Sequence, residues 1–298
     1  MILLNNSIMK NLLLFLALIL LTLSGCNNGK NDKHYSIDNP ETKLGWKLGS
    51  GTYTFNRFTF LQSLDKIDSC QLKYVECYPD QVIGEGLKGT MDYHMDRATQ
   101  KEILKKLEEK GIKLLAYGVI TPSSNVEWRK LFDFGKSMGI QTFTSEPDEK
   151  DLAFISGLCD EYGINIAIHN HPYPKHYWNP DTVLASIKGR SSRIGACADI
   201  GHWIRSDLDP VACLKKLEGH VLHVHMKDLE SIAGKDTGEE NRDVHWGTGI
   251  ANIPGVINEL KRQNFKGMIS AEYERNWENN TPDVIASIKY FRNAIKYK

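Results

Sequence analysis

Six stretches of the 298-residue chain place ionisable side chains directly after short apolar runs. They are Glu76, Ser145-Glu146-Pro147, His169-Asn170-His171, Asp199-Ile200-Gly201-His202, His223-Val224-His225-Met226-Lys227-Asp228 and Glu272-Tyr273-Glu274. Singly, each has a plain structural explanation: a carboxylate after a strand is often a helix N-cap, and a lone histidine often satisfies a local hydrogen bond. Together they form a mixed imidazole and carboxylate set. Like charges brought to one place repel and shift each other's pKa values. A divalent cation is the simplest neutralising partner, and this ligand mixture suits a transition metal more than Ca²⁺. The expected cofactor is one divalent ion (Zn, Mn, Co, Mg or Fe). Glu146 and His169 are candidate ligands, and Glu146, Glu272 and His171 are candidates for moving a proton. His169 and His171 lie two apart and share a face if the strand persists, with Asn170 facing away. Lys227 is a candidate to place its ammonium near a developing oxyanion; the plainer expectation is a surface ion pair with Asp228. Glu76 and His171 are further expected to contact substrate.

Such residues act together only if a common frame gathers them. From Trp46 onward, short β-rich apolar runs (46–53, 72–77, 112–119, 140–144, 164–169, 193–198, 221–225 and 267–273) alternate with amphipathic ones. Helical patterns are clearest at 95–110, 148–162, 252–264 and 281–297. Gly111, Gly139 and Gly163 stand where helix C-caps belong, and Ser124 or Asn125, Asp148 and Asn252 are candidate N-caps. Strands alternating with helices imply βαβ units and a parallel sheet. Eight units in about 250 residues match a single (β/α)8 TIM barrel, whose active site lies at the C-terminal ends of the strands. No GxGxxG follows the first strand, which argues against a doubly wound sheet and a nucleotide cofactor. With 37 basic and 37 acidic residues the chain has no net charge, so it lacks the electrostatic footprint of a nucleic-acid binder.

The order Asp199-x-x-His202, His225-x-Lys227-Asp228, then Glu272 resembles the xylose-isomerase-like barrel superfamily of sugar isomerases, epimerases, inosose-processing enzymes and endonuclease IV. The resemblance covers about residues 46–298. It implies metal-ligand roles for Asp199, His225 and Glu272, and substrate contact for His202; Lys227 is a further candidate to contact substrate. Many relatives carry Glu-Asn-His at the end of strand 5, where this chain has His169-Asn170-His171. His169 can still bind metal, and Glu146 is the candidate to supply the missing carboxylate. Trp178, Trp203, Trp246 and Trp277 follow strands 5 to 8 and are candidates to stack on a pyranose ring. The long polar stretch from Leu229 to Ile250 reads as a lid or binding loop.

The apolar run Leu12–Leu23, ending in Ser24-Gly25-Cys26, is too short to cross a bilayer but fits a signal-peptide core. It resembles a bacterial lipoprotein signal, which implies that residues 1–25 are removed and Cys26 is lipidated. Residues 26–45 read as a polar tether, and the domain is expected outside the cytoplasm. The remaining cysteines (Cys70, Cys77, Cys159, Cys197 and Cys213) are odd in number and read as buried small hydrophobes. The resulting expectation is a metal-dependent isomerase or epimerase abstracting a proton next to a carbonyl of a neutral sugar or glycoside. A lyase or hydratase for 3-keto sugars is the alternative; an endonuclease-IV-like nuclease and a non-catalytic sugar-binding lipoprotein are less favoured. Expected partners are a small sugar, a membrane through the lipid anchor and, in a homo-oligomer, further copies of the chain, with no nucleic acid.

Overall fold

A computed structural model describes residues 39–230 and 242–296. The eight barrel strands are β1 Lys47–Gly51, β2 Tyr74–Cys77, β3 Lys113–Tyr117, β4 Thr142–Ser145, β5 Asn165–His169, β6 Ile194–Asp199, β7 Val221–Met226 and β8 Met268–Ala271. They close into one parallel barrel in chain order, with β8 paired to β1 from Lys47↔Met268 to Ser50↔Ala271. Strands covered on both faces lose the polar alternation of half-exposed ones. Accordingly β4, β6 and β8 are buried along their whole length.

The principal helices are α1 Phe60–Ser69, α2 Arg97–Lys110, α3 Asn125–Met138, α4 Leu152–Tyr162, α5 Pro180–Ile187, α6 Ile200–Arg205, α7 Pro210–Lys216, α8 Ile253–Arg262 and α9 Thr281–Lys296. Each lays an apolar stripe on the sheet. In α1 the stripe is Phe60, Leu61, Leu64 and Ile67, at the three- and four-residue spacing of one helix face. Ser124 caps α3 by accepting from Glu127 N, and Asn252 caps α8 by accepting from Gly255 N. Asp148 makes no cap bond, because a 3₁₀ turn at Glu149–Asp151 intervenes before α4. Gly111, Gly139 and Gly163 all adopt the left-handed conformation at helix ends. Two antiparallel ribbons decorate the barrel: Val82–Gly84 with Leu87–Thr90, and Asp228–Leu229 with Asp243–Val244. All five cysteines among the described residues are free and buried.

The folded body begins earlier than the expected tether boundary. Pro40 opens a single helical turn, Pro40–Lys43, and Glu41 is buried against Arg292 of α9 at 2.9 Å. Glu41 O also accepts from Trp46 N at 3.0 Å, tying the turn to the start of β1. Composition marks this stretch as polar linker because its partner is 251 positions away in sequence. Residues 1–38, including Cys26, and 231–241, half of the expected lid, lie outside the described residues. Glu41→Ala strands a mostly buried guanidinium, and should lower unfolding free energy by about 3 kcal/mol. Urea titration measures this, and an unchanged midpoint would show that the turn contributes nothing to stability.

Candidate active site

Alternation along β7 places His223 and His225 on the inward face at successive depths, and Lys227 continues the series just past the strand. At the deep end, Glu76 from β2 accepts from Nε2 of His223 at 2.9 Å and of His225 at 2.9 Å, and from Thr144 Oγ1 at 2.7 Å. Burial raises the Glu76 pKa, but the two imidazoles outweigh it and hold the carboxyl ionised, well below the usual range. A carboxylate only accepts, so each Nε2 carries the proton. Nδ1 is therefore the His225 nitrogen that faces the upper part of the site. Glu76 is not in the cavity wall, so the expected substrate contact is replaced by a role beneath His225.

Asp199, the last residue of β6, divides its two oxygens. Oδ1 caps α6 by accepting from His202 N at 2.8 Å, and Oδ2 accepts from Lys227 Nζ at 2.7 Å. The Asn170 side chain clamps the Asp199 backbone, donating to its carbonyl at 3.0 Å and accepting from its N–H at 2.8 Å. Asn170 thus turns from the cavity, as its parity predicts, and positions the neighbouring strand end. Gly201 leaves room for the Lys227 stem: a Cβ there would lie 2.8 Å from Lys227 Cβ.

Lys227 is only 1 % exposed, which overturns the surface ion pair with Asp228. Its ammonium stands 2.7 Å from each of Asp199 Oδ2, Glu272 Oε2 and Glu274 Oε1. Burial alone would lower its pKa, but these carboxylates push it well above the usual value, so it stays charged. Asp228 instead accepts from the backbone N–H groups of Leu229, Gly247, Gly249 and Ala251, anchoring both ends of the loop after β7.

His169 joins two groups of side chains. Its Nδ1 lies 3.2 Å from Glu146 Oε1 and its Nε2 3.5 Å from Asp199 Oδ2. Glu146 Oε1 also bonds His171 Nδ1, so the two histidines share a side, as their spacing predicts, and there meet one carboxylate. Burial pushes the Glu146 pKa up, yet the hydrogen bonds from His169 and His171 bring it down to about 2. His202 Nδ1 accepts from Arg205 at 3.0 Å, leaving the proton on Nε2, which faces Asp199 Oδ2 at 3.6 Å. Burial holds His202 neutral. Arg205 is braced in turn by Asp243 at 2.9 Å, a residue that no local pattern singles out.

These groups fit a divalent cation. His225 Nδ1 is buried without a hydrogen-bond partner, 3.5 Å from Glu272 Oε1 and 3.7 Å from Asp199 Oδ2. Ligand atoms of His169, Asp199 and His225 lie within 4.8 Å of one another. Three carboxylates (Asp199, Glu272 and Glu274) surround the Lys227 ammonium and a fourth, Glu146, lies across His169, an excess of carboxylates over ammonium that a doubly charged ion offsets.

The cavity above this set measures about 450 Å³ and is walled by His169, His171, His202, His225, Lys227, Glu272 and Glu274, with Tyr53, Tyr78, Pro79, Gly118 and Val119. Its aromatic wall differs from the expected one. Trp203 and Trp246 are buried in the hydrophobic core, the latter against Phe291. Trp178 packs edge-on against Tyr173, away from the cavity. The aromatic side chains that reach the cavity are Tyr53 and Tyr78, from the loops after β1 and β2. Their tyrosine type carries no local mark; only their place one or two residues beyond a strand end points to them.

Residues 64–294 match the model of the xylose isomerase-like TIM barrel family. An inosose dehydratase of Clostridium beijerinckii is 23% identical over 150 residues, covering 47% of this chain and 49% of that protein. The chain thus spans about half the length of the curated relatives it matches. Among solved structures, an uncharacterized protein of Parabacteroides distasonis is 33% identical, with a TM-score of 0.68 over 84% of this chain and 99% of the other. The IolI protein, solved with a bound zinc atom, shares the fold at 16% identity and a TM-score of 0.65, over 85% of this chain and 99% of that one. The closed eight-stranded barrel and these matches agree: the chain belongs to the xylose isomerase-like TIM-barrel family.

Proposed function

We propose that this protein is a divalent-metal-dependent enzyme that abstracts a proton next to the carbonyl of a neutral sugar or glycoside, with isomerisation or epimerisation as the outcome. The observation that carries the reading is the unpartnered His225 Nδ1, gathered with His169, Asp199 and Glu272 at the floor of the cavity. His169, Asp199, His225 and Glu272 are the proposed ligands, with Glu146 held beside them by His169. A bound ion would supply Lewis-acid stabilisation of adjacent carbonyl and hydroxyl oxygens.

The remaining chemistry belongs to the chain's own side chains. His171 lines the cavity and binds Glu146 through Nδ1, which leaves Nε2 to take the proton from carbon. Ionised Glu146 then stabilises the imidazolium that forms, as a carboxylate behind a histidine base does. Lys227, held between Asp199, Glu272 and Glu274, reaches the cavity wall where an oxyanion would develop. Neutral His202 donates from Nε2 without adding charge. Returning the proton to the neighbouring carbon isomerises the sugar, and returning it to the opposite face epimerises it.

Loss of water from a keto sugar is the second reading, supported by the similarity to inosose dehydratases. It uses the same first step and differs in expelling a β-hydroxyl. Localisation is part of the proposal: the Leu12–Leu23 run before Cys26 supports a lipid-tethered protein outside the cytoplasm.

Metal-loaded protein incubated with free sugars and 3-keto glycosides in D₂O should introduce deuterium beside the carbonyl, read by NMR. Asp199→Ala should abolish exchange and His171→Ala should slow it by about 10²–10⁴-fold; absence of exchange with every sugar would refute the reading. Glu76→Gln turns an amide N–H toward one of the two imidazoles and frees the His225 tautomer. Its metal affinity, titrated against a chelator, should fall by roughly 10–100-fold. Wild-type affinity would mean that Glu76 does not orient His225.

A further inference from the structure

A second hollow lies beside the cavity, across the Tyr53–Trp277 ring contact. Tyr53, 45 % exposed, lines the rim of the cavity and meets Tyr78 edge-on at 5.4 Å and Trp277 edge-on at 5.9 Å. Trp277 in turn walls the second, more open hollow of about 510 Å³ with Arg57, Asn276, Glu278 and Asn279. Tyr53 and Arg57 come from the segment after β1, and Trp277 and its neighbours from the loop after β8. Pairing of β1 with β8 brings these two loops side by side. Among the described residues, neither the Arg57 guanidinium nor the Trp277 indole N–H has a hydrogen-bond partner, while Glu41 and Asp243 hold Arg292 and Arg205 in place. Aromatic surface beside planar amide, carboxylate and guanidinium groups matches a sugar ring, which has apolar C–H faces and a rim of hydroxyls. The adjacent Glu278 argues against an anion as the occupant.

We propose that this hollow is a second carbohydrate subsite, so that the substrate is a glycoside with its reacting ring in the inner cavity and its second ring on the Tyr53–Trp277 shelf. The proposal rests on the inner cavity being a sugar site. It deepens that reading by assigning a substrate of two linked rings instead of a single one. Arg57 and the Trp277 indole donate to hydroxyls of the outer ring, and Asn276 and Asn279 supply amide groups beside them. None of these side chains belongs to the proposed ligand or proton-transfer set, so loss of one affects the outer ring alone.

Equilibrium binding of unreactive sugars separates the two readings. Calorimetry on the metal-loaded protein would compare glucose with trehalose, cellobiose, maltose and sucrose. The subsite predicts that at least one disaccharide binds tenfold or more tightly than glucose. Trp277→Ala and, as an exposed second variant, Arg57→Ala should each erase most of that advantage while glucose affinity stays within twofold. Glucose binding with no disaccharide preference, or a disaccharide preference indifferent to both substitutions, overturns the subsite and leaves the inner site standing. Failure of every sugar to bind overturns the sugar reading and the subsite with it.

Discussion

Balancing negative charge among buried side chains at the barrel mouth is the constraint on which the site depends. Asp199, Glu272 and Glu274 converge on one buried ammonium, Lys227, and Glu146 adds a further carboxylate across His169. Such a set costs several kcal/mol per ion in desolvation unless each charge is paired and hydrogen-bonded. Lys227 meets part of that cost and spaces three carboxylates around itself. The residual negative charge and the open Nδ1 of His225 are what make the place receptive to a cation.

Around this centre runs a shell of residues with no direct part in chemistry. Glu76 sets the His225 tautomer, Asn170 fixes the Asp199 backbone, Arg205 sets the His202 tautomer, and Asp228 anchors the loop after β7. Together they fix His225 of β7, Asp199 at the end of β6, His202 of α6 and the loop after β7, so several elements hold the geometry of the mouth at once. Gly201 belongs to the same logic, since only an absent side chain lets Lys227 pass.

The shell also explains where local patterns mislead. Glu76 and Glu146 both stand near a strand end, yet Glu76, inside β2, reaches two histidines of β7 and Glu146, just past β4, reaches His169 and His171. Trp203 and Trp246 stand just after strands, but a large apolar ring gains more by entering the core than by walling a polar cavity. Tyr53 and Tyr78 take that place, each keeping a polar tip toward water. Glu41 reads as linker until Arg292 arrives from the far end of the chain.

By itself the sequence determined the barrel, the order of its strands, the approximate span of four of its helices and the cluster of acids and histidines at one end. Period and capping are local, and strand-end chemistry follows from them once the fold is a closed barrel. That His169 and His171 share a side was equally local, because parity along an extended chain selects a face; their common partner Glu146 arrives from β4. Only the tertiary structure decided which three carboxylates Lys227 would meet, which nitrogen of His225 would stay open and which aromatics would reach the cavity. Those outcomes depend on side chains far apart in sequence competing for the same few ångströms, and no local pattern encodes the winner.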